Sequence, residues 1–226
     1  MDRRTLLRSG LGLMTSLSLV RNTAAEEKWD PDEGVTAPED LMKEHGVLNR
    51  CLLIYEEGIR RLRAKQDLSP EVFQHTAELV RTFVEQYHEK NEENYIFPEF
   101  VKAKKLTELV EVLKTQHVAG RKVTAEIVRL SLPDAYRAAE NRDKLTQACQ
   151  AFIRMYRPHE AREDTVLFPA LRAILPPKEV AALGDRMEEA ERKVLGEEGF
   201  ERSVEKVATI EKQLGIFDLQ QFTPAT

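Results

Sequence analysis

One stretch of this chain occurs twice, and the duplication limits what the rest can fold into. His88-Glu89-Lys90-Asn91-Glu92-Glu93-Asn94-Tyr95-Ile96-Phe97-Pro98 is answered 71 residues later by His159-Glu160-Ala161-Arg162-Glu163-Asp164-Thr165-Val166-Leu167-Phe168-Pro169. The histidine, both glutamates, the phenylalanine and the proline are identical, and Glu93/Asp164 and Ile96/Leu167 agree in kind. The same offset carries His45 to within one residue of His117, a slip that a single-residue loop difference explains. Whatever pair of elements the first copy builds, the second must build again.

Those elements read as helices. Glu, Lys, Arg, Leu and Ala dominate nearly every window after residue 36, aromatics are 7%, and β-branched runs are rare, a composition that favours helix over strand. Thr36-Ala37-Pro38-Glu39 offers a capping threonine, an early proline and a glutamate three residues on, so a first helix is expected from there to about Lys65. Ser69-Pro70 opens a second, which keeps Val72, Phe73, Leu79, Val80, Phe83 and Tyr87 on an apolar stripe and ends near Val101. A third spans about 106 to 130, with Leu109, Val112, Leu113, Gln116, His117 and Gly120 on one side. The fourth covers about 135 to 173, and Pro158 inside it predicts a kink or a break. Two more helices are expected at about 177–195 and 198–214. The expected fold is all-α: an up-and-down four-helix bundle over 36–173 with a C-terminal helical extension over 174–226.

Within each copy the spacing is His-x-x-x-Glu, which puts both side chains on one helix face a turn apart. Alone, such a pair is most often solvated. Here four of the five histidines fall in the duplicated frame, while His75 lies well round the helix from His88 and reads as surface. His45, His88, Glu92, His117, His159 and Glu163 would then converge inside the bundle, which is costly unless they bind something. Two carboxylates bridging two divalent ions, with two histidines on each, remove that cost. Imidazole with carboxylate suits iron, and less specifically manganese or zinc. Glu89 and Glu160 read as solvated or supporting groups rather than ligands. Glu44, Glu93 and Asp164 read as mostly solvated, with orientation of the imidazoles as the alternative.

The chain opens differently. Arg3-Arg4-Thr5-Leu6-Leu7-Arg8, the mildly apolar 10–20 and Thr23-Ala24-Ala25 have the layout of a signal peptide over 1–25, followed by a linker over 26–35. The paired arginines resemble the twin-arginine export signal, which implies export, to the periplasm in a bacterium. The apolar part is too short to span a bilayer, which needs about 20 residues. This leader holds four arginines against one aspartate, a surplus of +3, so without it the net charge goes from −5 to −8, a poor match for nucleic acid. Cys51 and Cys149 show no CxxC spacing and read either as one disulfide or as two buried thiols.

Together Glu44-His45, the His88–Pro98 motif, Gln116-His117 with Gly120-Arg121, and the His159–Pro169 motif resemble the hemerythrin-like family, the hemerythrin HHE cation-binding domain, over about 36 to 172. The resemblance implies a non-heme di-iron centre bridged by Glu92 and Glu163. Oxygen-carrying members have a second histidine one turn after the first in the third helix, where this chain has Arg121; Asn49 holds the matching place after His45. The site is therefore expected to be symmetric, with about two histidines per metal and Arg121 outside the ligand set, pairing a carboxylate or an anion. Dioxygen binding for sensing, storage or protection is the expected role. An enzyme acting on peroxide or nitric oxide is the alternative, and a metal-stabilised interaction module the third.

Overall fold

The computed structural model describes residues 36–224, which are helical with no strand among them; the expected leader over 1–25, the linker over 26–35 and the last two residues lie outside these. Helix α1 is Ala37–Arg63. Thr36 stands at its N-cap as expected, but its side chain makes no capping bond, and the helix start rests on the proline and on Glu39 and Asp40 in the first turn. Helix α2 runs continuously over 71–103, from Glu71–Leu79 to Phe97–Ala103. Helix α3 is Thr107–Ser131, the one-turn α4 is Pro133–Tyr136, and α5 begins as Ala139–Arg162 and ends as Phe168–Ile174. Helices α6 (Pro177–Val194) and α7 (Gly199–Leu214) follow.

Around the bundle α1 packs on α2, α2 on α3, α3 on α5 and α5 on α1, the expected up-and-down arrangement. The two C-terminal helices lie along the α1/α2 side. Val207, Ile210 and Leu214 of α7 are buried in one apolar cluster with Cys51, Phe73, Phe83 and Phe152, and Arg50 of α1 pairs with Glu211 at 2.5 Å. Val180, Leu183 and Met187 of α6 join a second cluster with Leu41, Phe97, Phe100, Phe168 and Leu171. Both helices thus complete the core. No described helix is long and apolar enough to cross a membrane.

One expectation is corrected and two open alternatives are narrowed. Val112 is exposed, because it lies about 100° round α3 from the buried Leu113. Helix α5 passes through Pro158 without a break. The irregularity lies further on, at the π-helical turn Glu163–Leu167, which ends against Phe168-Pro169. Helix α2 has the same turn, Glu92–Ile96, against Phe97-Pro98, as well as a longer π stretch, Val80–His88. A proline has no N–H to give and crowds the carbonyl four residues back, so the preceding turn widens. Cys51 and Cys149 are both buried as free thiols, so the disulfide is not formed.

Candidate metal centre

The six residues singled out by the repeat meet in one layer between the two apolar clusters. His45 comes from α1, His88 and Glu92 from α2, His117 from α3, and His159 and Glu163 from α5; none exposes more than 4% of its surface. The duplicated phenylalanines wall them in, Phe168 stacking on His45 at 5.6 Å and Phe97 on His117 at 5.5 Å. Each phenylalanine therefore packs against the imidazole of the next helix round the bundle.

The imidazoles fall into two pairs, His45 with His88 at 4.8 Å between ring centres and His117 with His159 at 5.1 Å. Both carboxylates lie between the pairs. Glu163 Oε2 is 3.4 Å from His45 Nε2 and 3.2 Å from His159 Nε2, while Glu92 Oε2 is 3.7 Å from His88 Nε2 and 3.3 Å from His117 Nε2. All four carboxylate oxygens of Glu92 and Glu163 are buried without a hydrogen-bond donor, and Nε2 of His45 and His117 is likewise unpartnered. Buried polar atoms of this kind are rare unless something binds them. Groups bonded at about 2.1 Å to one ion lie roughly 3 to 4 Å apart, and the spacings here match. Glu92, His117, His159 and Glu163 form one set that could hold an ion, and His45, His88 and Glu92 another.

Every imidazole is held from behind by a side chain of a neighbouring helix. Nδ1 of His88 meets Glu44 at 2.6 Å, Nδ1 of His117 meets Glu93 at 3.1 Å, Nδ1 of His159 meets Gln116 at 2.9 Å, and Nδ1 of His45 meets Asp164 at 2.7 Å. With Nδ1–H donating to these oxygens, each Nε2 lone pair faces the carboxylates, the tautomer a metal requires. Each acceptor is the sequence neighbour of a ligand on another helix. Glu44, Glu93 and Asp164 are thus not mainly solvated: Glu44 is fully buried, the other two are partly covered, and all three orient a ring.

The remaining expected residues also lie at the centre. Glu89 receives Tyr156 Oη at 2.6 Å and the Arg121 guanidinium at 2.7 Å, and the same Arg121 nitrogen reaches Glu93 at 2.6 Å. Arg121 is therefore outside the ligand set. Glu160, buried, accepts from Asn49 and keeps its other oxygen unpartnered. Sequence reasoning passed over Tyr87, marked only as part of the apolar stripe, which donates to Glu44 at 2.7 Å, and Tyr156, which no spacing singled out.

The charges strain against one another. Burial, and then the charge of Glu163, raises the Glu92 carboxyl. Burial acts on Glu163 too, but His159 and His45 hold it well below the usual carboxylate range. Burial opposes the charging of His117, yet the Glu92 carboxylate beside it and its bond to Glu93 push it up to about 10. Burial takes His88 down to about 4 and lifts Glu44 and Glu160 to about 8. Protons here do a job that divalent cations do better, since two buried carboxylates cannot both ionise unaided.

The comparisons agree. The hemerythrin HHE cation binding domain matches residues 36–171. Uncharacterized proteins of Mycobacterium tuberculosis and Mycobacterium bovis are 49% identical over 191 residues, covering 84% of this chain and 75% of theirs. No solved structure matches.

Proposed function

The chain belongs to the hemerythrin HHE cation-binding domain family, and we propose that its buried centre holds two iron ions and binds dioxygen or a related small molecule for sensing, storage or protection. The observation that carries this reading is the set of four buried, donorless oxygens of Glu92 and Glu163 lying between two imidazole pairs. The residue types suit the metal: His45 and His88 would hold one ion, His117 and His159 the other, and Glu92 and Glu163 would supply carboxylates to both. Iron would supply reversible electron exchange with the bound molecule. The chain's own part is to fix the imidazole tautomers through Glu44, Glu93, Gln116 and Asp164 and to keep bulk water out with Phe97 and Phe168.

Arg121 supports a second reading, an enzyme acting on peroxide or nitric oxide. It lies where oxygen carriers have a further histidine, and its bonds go to Glu89 and Glu93, so each ion would be held by two imidazoles and would keep open positions. We also place the protein outside the cytoplasm, on the Arg3-Arg4 leader; N-terminal sequencing of the protein from its native host would show cleavage after Ala25.

The test is metal content with the optical spectrum, recorded reduced without air and again after air. About two irons per chain, with bands that appear on oxidation and vanish in His88→Ala and Glu163→Ala, are expected. Repeated turnover of peroxide or nitric oxide would select the enzyme. A folded protein free of metal, or one zinc with no spectral change, would overturn both and leave the interaction module.

A further inference from the structure

We infer that the two ion positions are unequal, the one at His45 and His88 binding a divalent cation at least tenfold more tightly than the one at His117 and His159. This rests on the two-ion reading above. The ligands themselves obey the repeat, but the residues behind them break it at two places. Glu44, behind His88, corresponds to the neutral Gln116 behind His159. Asn49, which bonds Glu160, corresponds to Arg121, which bonds the matching Glu89 and also Glu93.

The one permanent charge behind the ligands therefore falls on one side only. Around His45 and His88 stand Glu44, Asp164 and Glu160, with no guanidinium among them; Lys43 on that side is exposed and paired with Asp40 at 3.1 Å. Around His117 and His159 stand Glu89 and Glu93, both bonded to the permanently charged Arg121, and beyond them Glu85, which feels both Glu89 and Arg121. An imidazole that donates to a carboxylate is also a stronger ligand than one that donates to an amide. His45 and His88 both donate to carboxylic groups, whereas His159 has only Gln116. Even with an effective dielectric of about 20, a unit charge about 10 Å from a dication shifts its affinity by more than tenfold, and Arg121 is bonded to Glu93, which holds the His117 ring.

The test is a titration of the metal-free full chain with Co²⁺ without air, following the visible bands and the heat of binding. Two steps at least tenfold apart are expected. His88→Ala should remove the tight step and His159→Ala the weak one, with circular dichroism confirming that both variants fold. The double variant Arg121→Asn with Gln116→Glu gives the second half the residue types of the first and should bring the steps together. Two equal steps in the wild type, or a tight step that survives in His88→Ala and disappears in His159→Ala, would overturn the inference while leaving the two-ion reading standing. Uptake of a single ion, or of none, would overturn both.

Discussion

Gly120→Ala tests whether the layer beneath the centre is as tightly built as the coordinates require. A Cβ on Gly120 would stand 2.8 Å from Tyr156 Cζ and closer still to its hydroxyl, so something must move. The ring has little freedom, being buried against Phe152 at 4.3 Å and His159 at 5.5 Å. Moving it costs about 1–3 kcal/mol as overpacking, and losing the 2.6 Å bond to Glu89 costs about 1.5–3 kcal/mol. Alanine returns about 1 kcal/mol of helix propensity. The net is a loss of roughly 2–4 kcal/mol, a fall in Tm of roughly 5–15 °C for a chain of this size. Urea unfolding of the metal-free protein measures this without a contribution from bound metal. In a Tyr156→Phe background the alanine should cost at least about 1.5 kcal/mol less, since both the nearest atom and the bond to Glu89 are already gone. A Gly120→Ala protein at least as stable as the wild type would refute the reasoning.

The two bridging glutamates should respond oppositely in the metal-free protein. Glu163 is depressed, so its stabilisation is present above the unfolded value of about 4.3 and lost as pH falls through the folded one; Glu163→Gln should destabilise at neutral pH. Glu92 is raised, so ionising it costs stability as pH rises; Glu92→Gln should gain on the wild type as pH rises above the unfolded value of about 4.3 while losing metal retention, as paired urea and metal assays would show. Glu44→Ala should weaken metal binding about 10–100-fold by freeing the His88 ring, measured by chelator competition, and an unchanged affinity would deny the ring-holding role. Leu214→Ala should cost about 2–4 kcal/mol in urea unfolding if α7 belongs to the core; no change would mark α7 as an appendage.

Much of this centre was legible because a repeat of histidines and glutamates leaves few arrangements open. The helices and the convergence of His45, His88, Glu92, His117, His159 and Glu163 follow from spacing alone. What spacing hid lies sideways. Glu44, Gln116, Glu93 and Asp164 each neighbour a ligand in sequence and so point about 100° away from it on their own helix. On an isolated helix that direction means solvent; in the bundle it means the next helix. The π turns were hidden for a related reason, since spacing carries a helix past Pro98 and Pro169 without showing that the turn before each proline widens.

The four ring-holding bonds have a direction. Glu44 of α1 holds a ligand of α2, Glu93 of α2 one of α3, Gln116 of α3 one of α5, and Asp164 of α5 one of α1, so the series closes on itself. Neither half of the chain can complete the circuit alone, and a bundle missing one helix would lose two of the four bonds, leaving one of its three remaining rings unbraced. Two copies of a single hairpin, paired about a twofold axis, would complete it. The duplicated chain therefore has the bonding pattern of a symmetric dimer of two-helix units, and joining those units into one polypeptide is what allows residues 49 and 121, or 44 and 116, to differ at all.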